Sequence, residues 1–275
     1  MEQIIEYFKY IPSSHRAMII IGGITLFWII EGIIPLANLR YSKWKHAGLN
    51  LFFTFTTIVI NFLFAATILW VSDWAASNHF GLLQMVEMPI WLFAIVGMLI
   101  LDLVGAYFIH WLEHRIKIMW KFHLVHHTDT YVDTTTANRH HPGESVFRAV
   151  FTILAVFLLG APIWLVMLYQ AASAFLSQFN HADIRLSKRL DDAISWIFVS
   201  PNMHKVHHHY VLPYTDSNFG NIFSVWDRLF GTYMSLDVDK IVYGIDTHMK
   251  SEENNAMGNL LKIPFQGYRA PTGKN

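Results

Sequence analysis

The residues of this chain that are best suited to chemistry are histidines, and they are concentrated in two short stretches. Nine of the 16 histidines lie between His110 and His127 or between His204 and His209. The first stretch holds an HxxxH pair and then an HxxHH group, and the second holds another HxxHH group. Because residues three and four apart share a helix face, each spacing directs two or three imidazoles at a common point. Clustered imidazoles would repel one another once protonated, and a shared metal ion is the simplest compensation.

The number of candidate ligands predicts two metal ions. The candidates are His110, His114, His123, His126, His127, His181, His204, His207 and His208. Structural zinc takes about four protein ligands and catalytic zinc about three, so this set exceeds the need of one ion. All-nitrogen ligation with open positions suits iron among the redox metals, and donor type alone leaves copper and zinc open. The chain contains no cysteine, which excludes thiolate-ligated haem, iron–sulfur clusters and cysteine zinc sites.

Three other residues near these clusters are candidates for ligation or for support of a ligand. His141 follows His140 and precedes a proline, and it is predicted to be a further ligand or to orient one. On a helix, His209 would point ~100° away from the residue before it, so ligation is no more expected than support of a ligand, and support is its predicted role. Asn180 lies beside His181 and has the same predicted role.

Two carboxylates lie inside apolar segments, where an ionisable side chain is a functional candidate. Asp102 precedes His110 by eight residues, or ~12 Å along a helix, which is too far to share a metal ion. We therefore predict that Asp102 contacts another histidine, lines a substrate tunnel or makes a buried structural hydrogen bond. Glu31 is near the end of its segment and is expected to reach the membrane interface. His46 stands alone, and a surface or interfacial position is expected for it.

Composition places the chain among membrane proteins. Apolar residues make up 53% of the 275 residues, aromatic residues make up 15%, and the mean hydropathy is +0.33. These values are unusual for a protein surrounded by water. The 20 basic side chains balance the 20 acidic ones without forming a basic tract, which argues against nucleic acid as a partner.

Three segments match the length of a transmembrane helix. Residues 17–36, 49–71 and 89–109 are each close to the ~20 apolar residues that cross the hydrocarbon core. The loop at 40–46 contains Arg40 and two lysines, whereas residues 72–87 contain no Lys or Arg. By the positive-inside rule, the basic loop is cytoplasmic and the third helix delivers His110 to the cytoplasmic edge.

A fourth apolar segment, residues 146–180, is interrupted by Gly160-Ala161-Pro162. Proline at this point should break the helix, and each arm would rise only ~25 Å. We predict a hairpin that enters and leaves the membrane by the same face. This arrangement returns His181 to the side that carries His110, which a single crossing would not do.

The predicted fold is all-α: a polytopic membrane helical bundle with a cytoplasmic, histidine-rich di-metal cap. Residues 1–100 are expected to form the N-terminal transmembrane helices. Residues 101–235 are expected to form the catalytic region, including the hairpin, and residues 236–275 a peripheral C-terminal tail.

The motifs and their order resemble those of the fatty acid hydroxylase and sterol desaturase superfamily of membrane di-iron proteins. The matching elements are Asp102 with the HxxxH pair at His110, WKFHLVHH at 120–127, RHHPGE at 139–144, PNMHKVHH at 201–208, and NFGN at 218–221 followed by WDRLFGTY at 226–233. The family often has Arg where this chain has Trp111, and often Tyr where it has Phe219. Neither difference removes a candidate ligand.

The resemblance implies an O2-dependent lipid hydroxylase or desaturase that holds two iron ions, with zinc as a possible substitute. Its substrate would be a sterol, a fatty acyl chain or a related lipid in the bilayer. No haem domain of the cytochrome b type fits around these motifs, so electrons would come from a separate donor protein.

A membrane zinc protein, either a hydrolase or a metal transporter, is the alternative that the residues leave open. Against hydrolysis, so many nitrogen ligands leave little room for a carboxylate general base, although Glu113 and Glu144 are near. Against transport, the histidines collect at one face and do not line a path across the bilayer.

Overall fold

Helices form the fold in this computed structural model, which describes residues 1–37 and 41–273. Within those ranges extended backbone pairs only as isolated bridges. The helices in chain order are α1 (Glu2–Lys9), α2 (Ser13–Ile33), α3 (Lys43–Ser77), α4 (Ile90–Asp102), α5 (Ile109–Arg115), α6 (Lys117–His127), α7 (Pro142–Leu159), α8 (Ile163–His181), α9 (Lys188–Ser195), α10 (Pro201–His207), α11 (Val225–Leu229), α12 (Ser251–Asn254) and α13 (Met257–Lys262). The all-helical prediction is confirmed. Arg40, part of the predicted basic loop, lies outside the described residues.

Four helical segments of the described chain are long and apolar enough to cross a membrane: Ser13–Ile33, Lys43–Gln84, Ile90–Arg115 and Pro142–Leu159. The first three contain most of the predicted spans, and the fourth is the first arm of the predicted hairpin. Large apolar side chains on these segments point outward; the side chain of Phe62, for example, is 78% exposed. Such a surface is typical of helices that face lipid.

The third segment is one continuous helix with a change of winding in its middle. A π-helical stretch, Leu103–Phe108, joins α4 to α5. Because a π-helical turn contains more residues than an α-helical turn, it changes the angle between Asp102 and His110 from that of a regular helix. Both side chains contact one segment of the chain, His110 at the carbonyl of Phe219 and Asp102 at the backbone N–H groups of residues 222 and 223.

The hairpin turns at Gly160 and Pro162, the residues from which it was predicted. Gly160 ends α7 with a left-handed backbone (φ 65°), and its carbonyl accepts a hydrogen bond from Nε2 of Gln84 at 3.0 Å. Oγ of Ser72 donates to the Ala161 carbonyl at 2.8 Å. The turn thus packs against the end of α3, so α8 runs back towards the end of the bundle where α3 begins and carries His181 with it.

Glu31 does not reach the interface as the sequence predicted; it is buried. Oε1 of Glu31 accepts the backbone N–H of Thr134 at 2.7 Å and that of Asp183 at 2.9 Å, and Nζ of Lys43 lies 3.5 Å from Oε2. These contacts join the end of α2 to the loops that follow α6 and α8. The hydrogen-bond donors that meet Glu31 come from distant parts of the chain, so local sequence gave no sign of them.

His46 is also buried, in contrast to the predicted surface position. Its Nε2 lies 2.9 Å from a carboxylate oxygen of Asp129, and its Nδ1 lies 3.1 Å from Oδ2 of Asp133. The guanidinium of Arg139, fully buried, lies 3.6 Å from Asp129. Burial opposes ionisation of Asp129, but His46 and Arg139 outweigh it and hold its pKa well below the usual range.

The C-terminal segment packs onto the helices beside the histidines. Leu260 and Ile263 are buried in a cluster with Phe53 of α3 and Val125 of α6. The carbonyl of Asn254 accepts a hydrogen bond from Arg139 at 2.6 Å. This segment therefore supports the loop between α6 and α7.

Candidate metal centre

Four helices bring nine histidines together at one end of the bundle. They come from α5, α6, the C-terminal end of α8, and α10 with the residue that follows it. The candidate ligand atoms of these nine histidines form two groups, within each of which they lie within 4.8 Å of one another, and a third such group joins His123 to His140 and Glu144. The five-histidine group is His110, His114, His123, His127 and His207, and the four-histidine group is His126, His181, His204 and His208. These are the nine residues that the sequence singled out as ligands of two ions, and ligation itself stays a prediction.

A single helical rule divides the histidines between the groups. In each motif the residues at i and i+4 belong to one group, as with His123 and His127, and the residue at i+3 belongs to the other, as with His126. At ~100° per residue, i+4 lies ~40° from i, whereas i+3 lies ~60° away in the opposite direction. The second HxxHH motif repeats the pattern in reverse, since His204 and His208 join the four-histidine group and His207 joins the five-histidine group.

In the five-histidine group the ring nitrogens converge on His123. Its Nε2 lies 3.1 Å from Nε2 of His110 and 3.1 Å from Nε2 of His127. Nε2 of His114 and Nε2 of His207 are buried and have no hydrogen-bond partner among the described residues. Burial of polar nitrogens without partners is costly, so this group fits a cation at its centre.

The four-histidine group converges on His181. Its Nε2 lies 3.2 Å from Nε2 of His126 and 3.0 Å from Nε2 of His204. Within residues 1–37 and 41–273, neither ring nitrogen of His208 has a hydrogen-bond partner. The rings of His127 and His208 stack with centroids 4.9 Å apart, so the two groups are neighbours.

The spacing and the protonation state of these rings both fit metal ligation. Two nitrogens bound at ~2.1 Å to one ion and at right angles to each other lie ~3.0 Å apart, close to the distances seen in both groups. Burial and the neighbouring imidazoles lower the pKa of His126 and of His204 well below the usual range. Both rings are therefore neutral at neutral pH, which is the form that binds a metal.

Backbone carbonyls orient two ligands of the five-histidine group. Nδ1 of His110 donates to the carbonyl of Phe219 at 2.9 Å, and Nδ1 of His207 donates to the carbonyl of Ser217 at 2.7 Å. Each bond fixes the proton on Nδ1 and leaves the Nε2 lone pair free for a metal. The segment 217–219 therefore sets the tautomers of two predicted ligands.

Carboxylates orient two more ligands of the same group. Nδ1 of His114 donates to Oδ1 of Asp216 at 3.1 Å, and Nδ1 of His123 donates to Oε1 of Glu144 at 2.8 Å. A carboxylate behind a histidine raises its basicity as a metal ligand.

Glu144 is the centre of a buried polar network that the sequence noted only as a nearby acid. Its Oε1 also accepts Nε of Arg148 at 3.0 Å and lies 2.7 Å from Nδ1 of His140. Nη2 of Arg148 donates to Oε2 of Glu113 at 2.6 Å. Arg148 thus holds both buried carboxylates beside His123.

Among the described residues Asp102 contacts no histidine, so that predicted contact is wrong, and the predicted alternative of buried structural hydrogen bonds is the one observed. Its carboxylate accepts the backbone N–H groups of Ile222 at 3.2 Å and Phe223 at 3.1 Å, and Nε1–H of Trp226 at 3.1 Å. Asp102 therefore fastens the loop that carries the Phe219 carbonyl to the α4–α5 helix.

Asp227, which the sequence offered only as part of a motif, fastens the same loop from the other side. Its carboxylate accepts the N–H of Phe219 at 2.7 Å, the N–H of Gly220 at 2.9 Å and Oγ1 of Thr232 at 2.7 Å. Burial raises the pKa of Asp227 to about 6. Its place in the WDRLFGTY motif was the available signal, but its partners depend on tertiary packing.

The structure places His141 outside both groups, in contrast to its predicted role as a ligand. Its Nδ1 accepts the N–H of Gly143 at 3.0 Å and so caps α7, and its Nε2 donates to the carbonyl of Leu261 at 3.3 Å. With both nitrogens engaged, His141 has no free lone pair for a metal. The preceding residue, His140, is the one near the centre, and its ring stacks on His126 with centroids 4.8 Å apart.

Asn180 and His209 also differ from their predicted roles, since neither contacts a predicted ligand through its side chain. Nδ2 of Asn180 donates to the carbonyl of Asn221 at 3.1 Å. Nδ1 of His209 accepts the N–H of Val242 at 3.1 Å. Both side chains hold loops, and their proximity to a ligand in sequence had suggested a more direct contact.

Comparisons with known proteins agree with this arrangement. Residues 94–232 match the family model described as fatty acid hydroxylase. The chain is 28% identical over 139 residues to ornithine lipid hydroxylase OlsE of Rhizobium tropici, covering 50% of this chain and 41% of that one. It is 30% identical over 149 residues to alkylglycerol monooxygenase of Xenopus tropicalis, covering 52% of this chain and 31% of that one. The chain thus spans less than half the length of these relatives. No solved structure matches it.

Proposed function

Because the chain belongs to the fatty acid hydroxylase family, we propose that it is an integral membrane di-iron oxygenase that hydroxylates a lipid. It would use O2 and electrons from a separate donor protein. Relatives named as a lipid hydroxylase and as a monooxygenase favour hydroxylation over desaturation. The reaction would convert a C–H bond to C–OH and reduce the second oxygen atom to water, with two electrons and two protons supplied from outside.

The observation that carries this proposal is the pair of adjacent, buried, all-histidine groups. Each group would hold one ion. The ligands of the first would be His110, His114, His123, His127 and His207, and those of the second would be His126, His181, His204 and His208. Iron bound there would supply the reduction of O2 and the removal of hydrogen from an unactivated carbon. A six-coordinate ion would keep one position open beside five imidazoles and two beside four, and O2 requires an open position.

Aromatic residues around the five-histidine group exclude water from it. The ring of Phe219, fully buried, lies 5.1 Å from His114 and 5.6 Å from His110, and Trp120 lies 4.8 Å from His114. A dry site strengthens the electrostatic hold on a cation and protects a reactive centre from side reactions. Phe219 also supplies the carbonyl that orients His110, so one residue both shields the group and positions a ligand.

We propose that the histidine end of the bundle faces the cytoplasm. Lys43, Lys45, Lys117 and Lys121 lie at this end, whereas residues 72–87 at the other end of α3 contain no Lys or Arg. A centre at this edge would take lipid from the bilayer and receive electrons from a soluble or membrane-bound donor on the same side.

Zinc hydrolysis is less well supported by the same contacts. A hydrolase needs a carboxylate free to act as general base. Oε1 of Glu144 is already engaged by His123 and Arg148, and Oε2 of Glu113 is engaged by Arg148. Glu144 therefore holds His123 in place and Arg148 pairs with both acids, while Oε2 of Glu144 and Oε1 of Glu113 have no hydrogen-bond partner among the described residues.

The proposed activity is tested by lipid mass spectrometry of host cells that produce the protein, together with lipid-dependent O2 consumption by the purified protein. We expect a lipid that is heavier by one oxygen atom with the wild type and with His15→Ala, an exposed histidine at the other end of the bundle. We expect none with His204→Ala. An identical lipid profile for wild type and His204→Ala, or zinc in place of iron without O2 consumption, would contradict the proposal.

A further inference from the structure

A patch of large apolar side chains is exposed on the part of the protein outside the spanning helices. We define the α9–α11 patch as Trp196, Ile197 and Phe198, which follow α9, with Leu229 and Phe230 at the end of α11. Their exposed fractions are 66%, 55%, 41%, 69% and 54%. Exposure of this many neighbouring apolar side chains to water is rare in soluble regions and marks an interaction surface.

The patch is linked to the third spanning segment and to α8, the second arm of the hairpin, at points distant from the histidines. Phe198 forms an antiparallel bridge with Phe223, whose N–H donates to Asp102. Nδ2 of Asn221 donates to Oγ of Ser173 on α8 at 2.7 Å. Asp102 and Ser173 each precede a histidine ligand of their own helix by eight residues, which is ~12 Å towards the membrane interior.

The patch also contacts the third spanning segment through an aromatic pair. The ring of Phe230 stacks on Tyr107, with centroids 5.4 Å apart. Phe108, the next residue of that segment, is 42% exposed. An aromatic contact therefore joins the end of α11 to the third spanning segment, beside a residue of that segment that faces outward.

Basic and aromatic groups are combined at the edge of the patch. The guanidinium of Arg228 lies 4.6 Å from the ring of Trp196 and 4.1 Å from the ring of Tyr233. Lys188 and Arg189, both exposed, lie on the preceding turns of α9. Tryptophan, tyrosine and basic side chains in this combination are typical of the headgroup region of a bilayer.

We propose that the α9–α11 patch inserts into the lipid leaflet at the histidine end of the bundle and anchors the cap to the bilayer. The depth of Asp102 and Ser173, the aromatic contact beside Phe108 and the basic rim all favour lipid as the occupant. Sequence did not suggest this contact, because the segment after residue 187 reads as polar and contains no span. The proposal requires only that the spanning helices lie in a membrane, and it does not depend on the chemistry at the histidines.

The test uses the absence of cysteine from the chain. Single cysteines are introduced at Ile197 and Leu229, labelled with a nitroxide, and studied in lipid nanodiscs by power-saturation EPR with O2 and a water-soluble nickel chelate. Phe62→Cys, in the middle of α3 and 78% exposed, is the lipid reference. Lys240→Cys, exposed beside the Asp239 that pairs with Arg185, is the water reference. An unfolding temperature equal to that of the wild type shows that each labelled variant is folded.

We expect the labels at Ile197 and Leu229 to show high O2 and low nickel accessibility, as at Phe62. Nickel accessibility equal to that at Lys240 would overturn the proposal, because the patch would then face water. Protection from both reagents would also overturn it, because protein, such as a second copy of the chain, would then cover the patch. A water-like result at Phe62 itself would refute membrane insertion as a whole and is distinguishable from the other outcomes.

Discussion

The two histidine groups have similar spacing but differ in the contacts behind the ligands. In the five-histidine group, Nδ1 donates to an oxygen in every ring except that of His127. In the four-histidine group, Nδ1 of His181 donates to the carbonyl of Ser177 at 2.8 Å. Nδ1 of His126, His204 and His208 has no partner among the described residues. The first group is therefore oriented by hydrogen bonds from the protein, whereas a metal bound in the second group would have to orient most of its ligands itself.

This difference predicts that the two groups would bind their ions with unequal affinity. Outer partners of histidine ligands contribute ~10–100-fold to metal affinity. We expect the five-histidine group to bind its ion more tightly and the four-histidine group to release its ion first. An exchangeable ion beside a fixed one would give the centre one position that adapts to O2 or substrate.

Removal of one ligand from each group has the largest expected effect. His204→Ala leaves three histidines in its group, whereas His207→Ala leaves four in the other. We expect both variants to lose activity by more than the ~10–100-fold that an outer partner contributes. We expect His204→Ala to retain about one ion per chain and His207→Ala to retain more. Elemental analysis of the two purified variants makes the comparison, and equal losses would show that the groups are equivalent.

Glu144→Gln has the next largest effect. Its amide cannot accept from both His123 and Arg148 as the carboxylate does, so we expect the ion in the five-histidine group to bind ~10–100-fold more weakly. Competition with a chelator of known affinity measures the change. Glu113→Gln is the matched control, because it breaks a contact with Arg148 but removes no hydrogen bond from a predicted ligand. A larger effect for Glu113→Gln than for Glu144→Gln would contradict the assignment.

Asp102→Asn tests the loop that orients His110. An amide oxygen cannot replace both carboxylate oxygens towards the three donors of residues 222, 223 and 226, so we expect the free energy of unfolding to fall by about 1–3 kcal/mol. Thermal unfolding in detergent measures the loss. Asp73→Asn, at an exposed position near the end of α3, serves as the control. Equal stability of the two variants would show that the Asp102 contacts do not hold the loop.

His141→Ala should have the smallest effect. It removes the side chain that caps α7, for which we expect a loss of about 1 kcal/mol, and it should leave both ions in place. Metal content and the unfolding temperature are measured on one preparation. Loss of an ion would show that His141 is a ligand after all. It would contradict the conclusion that His140, and not His141, lies near the metal centre.

The nine predicted ligands could be read from the sequence because helical spacing is a local property. Their division into two groups was also available, since i and i+4 share a face and i+3 does not, as His123, His127 and His126 illustrate. The hairpin followed from Gly160 and Pro162, which have strong local preferences.

The contacts of the isolated polar residues could not be read from the sequence. Glu31 meets its donors at Thr134 and Asp183, more than a hundred residues away along the chain. The sequence predicts a regular helix from Asp102 to His110. The π-helical stretch between them changes the angle between the two side chains around the helix axis. A buried polar group takes the partners that tertiary packing supplies, and spacing along the chain does not specify them.

The number and identity of the ions in the purified protein test the central claim most directly. We expect iron analysis of the wild-type protein, purified in detergent under reducing conditions, to give two ions per chain. X-ray absorption should show coordination by nitrogen and oxygen alone. A chelator should remove one of the two ions faster than the other. A content of one ion or none, or zinc in place of iron at both positions, would contradict a di-iron centre built from these histidines.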